Sequence, residues 1–249
     1  LRQQGLRMQI RGILLDKDGT LLEFHRTWRP IADRVIGAIL QELKLPETYR
    51  KSLGEAIGLF QDDIDPNGSL SAGTNRDVAR DFLQALPQES IPEGMDFPVW
   101  SQKLFDQVAA DSPFYPVAGA EEILKRFREA GILVGLATAD SVENATLFLE
   151  KSGLRPYFQY IGADDGIISP KPAPDYMHAF CREYGLKPQE VAVAGDTLAD
   201  MDFGRNSGAG FIAGVLSGTG TRELLAPYAH KIIPSIAELG DEDRFIWEE

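Results

Sequence analysis

Apolar residues follow two different spacings along this chain, and the change between them divides the sequence. Between residues 23 and 111 the apolar positions recur at helical spacing, and no convincing strand is found. One predicted helix face is formed by Ile31, Val35, Ile36, Ile39, Leu40 and Leu43. Further helices are predicted over residues 48–60, 75–86 and 99–109. This part of the chain is therefore expected to be all-helical.

From residue 112 onward, short apolar runs alternate with amphipathic stretches. Strands are predicted over residues 132–137, 158–162, 191–195, 211–215 and 231–233. Helices are predicted over residues 118–130, 142–151, 174–184 and 200–207. Such alternation is typical of a parallel sheet with helices on both faces.

One more apolar run, residues 10–15, precedes the helical part and is typical of a buried parallel strand. Two carboxylates follow it directly, and open α/β sheets place their chemistry at the carboxyl ends of strands. We therefore assign this strand to the sheet of the second half. The predicted fold is α/β, with the sheet domain formed by residues 1–22 and 112–249 and a helical insertion at residues 23–111.

The composition narrows the possible partners. The 249 residues carry a formal net charge of −13, which argues against nucleic acid or an anionic membrane as a partner. The single cysteine, Cys181, rules out an intrachain disulfide and favours a reducing compartment. No apolar run reaches the ~18 residues of a membrane helix. No secretory signal pattern is found. We therefore expect a cytoplasmic protein, as a monomer or a homodimer.

Asp16 and Asp18 follow the first strand with one residue between them, and Gly19 comes next. Two carboxylates this close repel each other unless a cation lies between them. Carboxylate oxygens suit Mg²⁺, and a glycine permits a tight turn or the close approach of a ligand. The alternative is a strand that ends in an ordinary polar turn.

Two other predicted strands also end in polar residues. Thr138 follows one of them, where a hydroxyl and free backbone N–H groups at a helix start can bind an anion. Asp140 or Ser141 is expected to cap the helix that begins there. Asp196 lies at the tip of the other strand, and Asp200 follows about one helical turn later. Both carboxylates can therefore face the same centre.

Lys171 lies within the stretch Ser-Pro-Lys-Pro-Ala-Pro-Asp, residues 169–175. Three prolines around one lysine restrict the backbone on both sides of it. A lysine held in this way can neutralise a carboxylate and a phosphate together, whereas a solvated surface lysine needs no such frame.

Taken in order, these segments resemble the four motifs of the haloacid dehalogenase superfamily. They are Asp16-Lys17-Asp18-Gly19-Thr20, Thr138, Lys171 with the residues up to Asp175, and Gly195-Asp196-Thr197-Leu198-Ala199-Asp200. The form of the Lys171 segment is similar to that of the phosphoglycolate phosphatase-like and β-phosphoglucomutase-like branch. The resemblance implies a Rossmann-like core and identifies the helical insertion as a cap domain.

The resemblance also implies chemical roles. Asp16 would be the nucleophile that forms an aspartyl-phosphate, and Asp18 would act as general acid and then as general base. Mg²⁺ would be held by Asp16, the backbone carbonyl of Asp18 and Asp196. Asp200 would orient Lys171 or metal-bound water from just outside the site.

The phosphoryl group would be bound by a second set of residues. Thr138 and the backbone amides that follow Asp16, at Gly19 and Thr20 among others, would hold its oxygens. Lys171 would offset the growing charge. Ala139 stands where phosphoglycolate phosphatases often have Asn. A small phosphorylated metabolite is the expected substrate.

The first residues of the cap are candidates for binding the leaving group. They are His25, Arg26, Trp28 and Arg29. Their two arginines favour an acidic or small polar leaving group in an otherwise acidic protein. The alternative is hinge packing with solvated arginines. A second candidate group in the cap is Thr74, Asn75 and Arg76.

Three other activities are compatible with parts of this pattern. A phosphomutase has the same core residues and differs in the group that accepts the phosphoryl. A non-catalytic binder of phosphorylated ligands is a further alternative. A haloacid dehalogenase proper has no need of Asp18, because a halide leaves without a proton, so Asp18 favours phosphoryl transfer.

Overall fold

The computed structural model describes residues 9–61, 63–241 and 243–248. The first residues of the predicted sheet domain, 1–8, and Asp62 in the insertion lie outside the described residues.

The strands form one parallel sheet. They are β1 (Gly12–Leu15), β2 (Leu133–Ser141), β3 (Tyr160–Asp164), β4 (Val191–Gly195), β5 (Phe211–Val215) and β6 (Lys231–Ile233). Their order across the sheet is β3-β2-β1-β4-β5-β6, with parallel pairing throughout. This is the strand order of the Rossmann fold, so the predicted α/β class is confirmed.

The helices are distributed as the apolar spacing predicts. In the insertion they are α1 (Phe24–Glu42), α2 (Tyr49–Ala56), α3 (Ser69–Ala72), α4 (Asn75–Ala85) and α5 (Phe97–Ala110). In the sheet domain they are α6 (Ala120–Glu129), α7 (Val142–Lys151), α8 (Asp175–Tyr184), α9 (Leu198–Ser207) and α10 (Arg222–Leu225).

Helices cover both faces of the sheet. Ile13 and Leu15 belong to the apolar cluster that contains the buried residues of α6 and α7. Leu14, between them, belongs to the cluster that contains buried residues of α8 and α9. Because successive residues of a strand point to opposite faces, β1 is buried from both sides.

The register of β1 brings the candidate residues to one edge of the sheet. Leu15 pairs with Leu136 of β2 and with Ala194 of β4. The residues that follow these three positions therefore lie at the same edge of the sheet. Asp16 and Asp196 come directly after their strands. Thr138 lies within β2, which continues to Ser141 instead of ending at residue 137 as predicted.

The insertion is helical in its described part, with one predicted boundary corrected. The apolar face predicted for α1 is buried throughout. The helix predicted over residues 48–60 ends at Ala56, because the chain turns at Gly58, which has φ of +83°. Leu59 then forms an isolated bridge with Ile64, and the short helix α3 follows, which apolar spacing did not predict.

The two connections between the insertion and the sheet domain lie side by side. Leu22 forms an antiparallel bridge with Pro116, and the amide of Glu23 donates to the carbonyl of Tyr115 at 2.8 Å. The amide of Val117 donates to the carbonyl of Leu21, also at 2.8 Å. The division at residues 22/23 and 111/112 stays a prediction, and these contacts lie close to both positions.

None of the helices in the described part of the chain has the length and apolar character needed to cross a membrane.

Candidate active site

The first motif forms a tight loop after β1. The amide of Asp16 donates to the carbonyl of Ala194 at 2.9 Å, which continues the parallel pairing beyond the strand. Gly19 has φ of +88°, and a Cβ there would lie 2.5 Å from Oδ2 of Asp196. Only glycine fits both the backbone conformation and the approach of this carboxylate.

Lys171 connects two carboxylates of different motifs. Its Nζ lies 2.6 Å from Oδ1 of Asp16 and 2.5 Å from Oδ1 of Asp200, and all three side chains are buried. Burial alone lowers the pKa of Lys171, but the charges of Asp16 and Asp200 outweigh it and raise the pKa. The lysine is therefore a fixed cation within the site.

Asp16, Asp196 and Asp200 form an acidic cluster in which one carboxylate oxygen of each lies within 4.8 Å of the others. Burial raises the pKa of Asp16 to about 7, against the opposing effect of Lys171. Burial, with the charges of Asp16 and Asp200, raises the pKa of Asp196 well above its usual value. Ionisation of all three carboxylates would therefore leave more negative charge than Lys171 alone offsets.

Two carboxylate oxygens in this cluster are suited to a cation. Oδ2 of Asp16 and Oδ1 of Asp196 are buried and have no hydrogen-bond partner among the described residues. Buried unpaired acceptors are costly, and hard divalent cations bind carboxylate oxygens. The donor set fits Mg²⁺ on chemical grounds.

Asp200 uses its two oxygens differently. Oδ1 contacts Lys171, while Oδ2 accepts from the amide of Thr197 at 3.0 Å and from its hydroxyl at 2.6 Å. Together with the amide of Asp200, these bonds form a capping box at the start of α9. Helix capping therefore fixes the carboxylate that orients Lys171.

The glycine-rich segment 217–221 supports Asp196. Oδ2 of Asp196 accepts from the amide of Thr219 at 2.8 Å, and a Cβ at Gly218 would lie 1.9 Å from the same oxygen. Neither Gly218 nor Gly220 has positive φ. These glycines make room for Asp196 rather than form a left-handed turn. Thr221 caps α10.

Asp18 lies next to a fully buried lysine that sequence reasoning left without a role. Nζ of Lys17 lies 2.8 Å from Oδ1 of Asp18 and 2.9 Å from Oδ2 of Asp140. Nε1 of Trp28 donates to the same Oδ1 of Asp18. Burial raises the pKa of Asp18, the charge of Asp140 adds to this, and Lys17 opposes it. The position of Lys17 between Asp16 and Asp18 is the feature of the sequence that could have indicated this contact.

The capping residue of α7 is Ser141, whose hydroxyl accepts from the amide of Asn144 at 3.2 Å. Asp140 instead pairs with Lys17 and accepts from the side chain of Asn144 at 3.2 Å. Of the two capping residues expected from the sequence, only Ser141 takes that role.

A cavity of about 40 Å³ lies between the motif residues and the insertion. On the sheet side it is lined by Asp16, Asp18, Thr138, Ala139, Asp140, Lys171, Thr197 and Ala199. On the insertion side it is lined by Trp28, Ser69, Leu70, Ser71, Ala72, Gly73, Asn75, Val78 and Phe105. Gly19 and Thr20 do not line this cavity. Thr20 is nevertheless buried.

Of the four candidates at the start of the insertion, the structure brings only Trp28 to this cavity. His25 is exposed. Arg26 stacks on Tyr115, with its Cζ 3.8 Å from the ring centroid. Arg29 donates to backbone carbonyls of residues 60, 61 and 63 at 3.0–3.1 Å. Both guanidinium groups therefore support local structure rather than the cavity.

In the second candidate group, Asn75 lines the cavity, Thr74 caps α4, and Arg76 pairs with Asp164 of β3 at 2.7 Å. Nδ2 of Asn75 lies 3.2 Å from Oδ1 of Asp106 and 3.4 Å from Oδ1 of Asp140. The contacts with Asp140 and Asp164 join the insertion to the sheet domain, whereas Asp106 lies in α5 of the insertion itself.

Asp106 of α5 is a further titratable group at this boundary, and sequence reasoning did not single it out. Its Oδ1 accepts from Nδ2 of Asn144 at 3.0 Å. Burial raises the pKa of Asp106 to about 6, and the charges of Asp140 and Glu143 contribute.

Known proteins resemble this chain over most of its length. It is 26% identical over 203 residues to the N-acetylmuramic acid 6-phosphate phosphatase of Pseudomonas putida, covering 81% of each chain. It is 26% identical over 239 residues to the phosphoglycolate phosphatase of Chromobacterium violaceum, covering 93% of this chain and 96% of the relative.

The fold is also found among solved structures. A β-phosphoglucomutase from Clostridium difficile superposes with a TM-score of 0.65 at 18% identity, covering 94% of this chain and 95% of the other. The sequence profile of haloacid dehalogenase-like hydrolases matches residues 10–208. The resemblance drawn from the four motifs is thus confirmed: the chain belongs to the haloacid dehalogenase-like hydrolases.

Proposed function

We propose that this hydrolase is a Mg²⁺-dependent phosphatase that cleaves a small phosphomonoester through an aspartyl-phosphate. The observation that carries the proposal is the position of Asp16. One of its oxygens is fixed by Lys171, the other is buried without a partner among the described residues, and Asp18 lies beside the same cavity. A nucleophile, an acid and a fixed cation thus meet at one point.

The reaction proceeds in two displacements. The Asp16 carboxylate attacks phosphorus, and the bond from phosphorus to the leaving oxygen breaks while Asp18 gives that oxygen its proton. Water then attacks phosphorus and transfers a proton to Asp18, and Asp16 leaves as a carboxylate. The raised pKa of Asp18 favours the protonated form that the first displacement needs.

The remaining motif residues bind the phosphoryl group and the metal. Thr138 and backbone N–H groups hold phosphoryl oxygens, and Lys171 offsets their charge. Mg²⁺ would be held by Asp16, Asp196 and the backbone carbonyl of Asp18. When bound, it supplies positive charge that lets a phosphate dianion approach the acidic cluster.

The leaving group is best matched by a small, neutral, hydroxylated group. No Lys or Arg of the described part of the insertion lines the cavity, whereas Asp18 and Asp140 do. The hydroxyls of Ser69 and Ser71 are buried without partners among the described residues, and both serines line the cavity. Unpartnered hydroxyls favour a ligand that can hydrogen-bond to them.

The size of the cavity supports the same conclusion. About 40 Å³ is room for roughly three water molecules, close to the size of a phosphoryl group. A substrate enters only if the insertion moves away from the sheet domain, as cap domains do. A large leaving group would hold the insertion and the sheet domain apart.

The test is a phosphate-release screen over phosphomonoesters, with Mg²⁺ and with EDTA. Glycerol 3-phosphate and 3-phosphoglycerate form a matched pair, because a hydroxymethyl group in one replaces a carboxylate in the other. We expect Mg²⁺-dependent release with a preference for glycerol 3-phosphate, and no release by Asp16→Asn.

Three results would contradict the proposal. Full activity in EDTA would exclude a requirement for Mg²⁺. A preference for 3-phosphoglycerate would exclude selectivity for a neutral leaving group. Conversion of glucose 1-phosphate to glucose 6-phosphate without phosphate release would show a phosphomutase instead.

A further inference from the structure

We propose that Trp28 and Lys17 are positioning residues that fix one oxygen of Asp18, so that its acid–base action depends on the position of the helical insertion. The proposal rests on the phosphatase function proposed above, in which Asp18 protonates the leaving oxygen.

Two donors converge on a single oxygen of Asp18. Nζ of Lys17 lies 2.8 Å from Oδ1, and Nε1 of Trp28 donates to the same atom. No described residue donates a hydrogen bond to Oδ2. A carboxyl group with one oxygen held from two directions has a fixed plane, so Oδ2 is the atom left to carry the proton to the leaving oxygen.

Lys17 is itself held in place from several sides. Its side chain is 0% exposed, and its Nζ lies between Asp18 and Asp140. The same Nζ lies 4.9 Å from the ring of Trp28 and 5.6 Å from that of Phe148. A buried ammonium with two carboxylates and two aromatic rings around it has little freedom to move.

The second donor comes from the insertion. Trp28 belongs to α1, and its ring packs against Phe105 of α5 at 5.8 Å between centroids. On the other side of Lys17, Asp140 accepts a hydrogen bond from Asn75 of α4 at 3.4 Å. If the insertion moves away, Asp18 loses the indole donor and Asp140 loses the amide. Asp18 is then fully oriented only while the insertion covers the site.

The sharpest test is Trp28→Phe, which keeps an aromatic ring beside Lys17 and Phe105 but removes the N–H donor. For glycerol 3-phosphate, whose leaving oxygen needs a proton, we expect kcat to fall by about tenfold or more. For p-nitrophenyl phosphate, whose leaving group departs without a proton, we expect the burst of p-nitrophenol, which reports the first displacement, to change by less than about threefold. The steady-state rate also includes the second displacement, in which Asp18 acts as the base with either substrate. KM for glycerol 3-phosphate should stay near the wild-type value.

A second variant tests Lys17 without changing the net charge of the site. Lys17→Met combined with Asp140→Asn removes one positive and one negative group. We expect the same selective loss with glycerol 3-phosphate. Trp100→Phe, in α5 but outside the cavity lining, is the matched control and should change neither rate. Circular dichroism should show that all the variants are folded.

The outcomes separate the two proposals. Equal losses in the first displacement with both substrates, or no loss, in folded Trp28→Phe would overturn the positioning role and leave the phosphatase function intact. A wild-type protein that releases phosphate from neither substrate would refute the phosphatase function itself, and the positioning role with it.

Discussion

Lys171 reaches Asp16 across 155 residues of sequence, and the two charged atoms lie 2.6 Å apart in a buried site. Lys171 also offsets Asp200, so removing it would leave two buried carboxylates without their cation. We expect Lys171→Met to lower the free energy of unfolding by about 3–5 kcal/mol. Phosphate release should be lost as well.

Urea unfolding at neutral pH measures this change, with Lys125→Met on the exposed face of α6 as the control. The destabilisation should shrink as the pH falls, because protonation of the carboxylates removes the unpaired charge. Unchanged stability of Lys171→Met would show that the two contacts contribute nothing to the fold.

Mg²⁺ should stabilise the folded protein, because a divalent cation offsets the repulsion among Asp16, Asp196 and Asp200. At a concentration about 100 times its Kd, a ligand that binds only the folded state adds ~2.7 kcal/mol. Thermal unfolding with EDTA and with Mg²⁺ measures the shift, whether or not a substrate is known.

Asp196→Asn should reduce the Mg²⁺-induced shift in Tm, because it removes one carboxylate ligand. The control is Asp202→Asn, at a partly exposed aspartate in α9, which should keep the full shift. An equal shift in wild type and Asp196→Asn would place the cation elsewhere.

Arg26→Ala and Arg29→Ala should leave kcat/KM for the best substrate within about twofold, because neither side chain lines the cavity. The sequence alone predicts instead a fall of roughly ten- to over a hundredfold, from loss of a charge-assisted contact. Arg29→Ala should lower the free energy of unfolding by about 1 kcal/mol, since its guanidinium donates to the carbonyls of residues 60, 61 and 63. A large fall in kcat/KM with unchanged stability would restore a substrate-binding role.

Asp106 should make stability depend on pH. Its pKa is about 6 in the folded protein and lower in the unfolded chain, so the folded state binds the proton more tightly. Stability therefore falls as the pH rises from about 4 to about 6 and stays lower above that range.

Asp106→Asn keeps an acceptor for Asn75 and Asn144 but removes the charge. We expect its Tm to exceed that of the wild type at pH 7–8 and the difference to vanish below about pH 4. Asp111→Asn, at an exposed position just after α5, is the control. A difference in Tm that is the same at pH 4 and pH 8 would exclude the charge as its cause.

The sheet and the acidic cluster at its edge could be predicted because both depend on short segments of the sequence, in which an apolar strand is followed by polar residues. Asp16 and Asp196 directly follow short apolar strands, and parallel strands bring their carboxyl ends to one edge. The ammonium of Lys171 could be expected there because its prolines set it apart from a surface lysine.

The cavity lining could not be predicted to the same extent. Trp28 and Arg29 are neighbours in α1, but successive residues of a helix point about 100° apart. Trp28 therefore contacts Asp18, whereas Arg29 contacts the backbone of residues 60, 61 and 63. Helical spacing shows which residues share a face, not which domain that face meets. Ser69 and Ser71 lie in a helix of four residues, too short for any periodic pattern.

The bridge between Leu22 and Pro116 has a consequence for how such a chain can be altered. The polypeptide leaves the sheet domain and returns to it at neighbouring points. These points are separated by one strand spacing, ~5 Å. Everything between them can be exchanged for a short turn or for an unrelated module without lengthening any connection in the sheet. The topology of the sheet domain is thus independent of what connects these two points, but a replacement for the insertion would also have to supply the donor that Asp18 receives from Trp28.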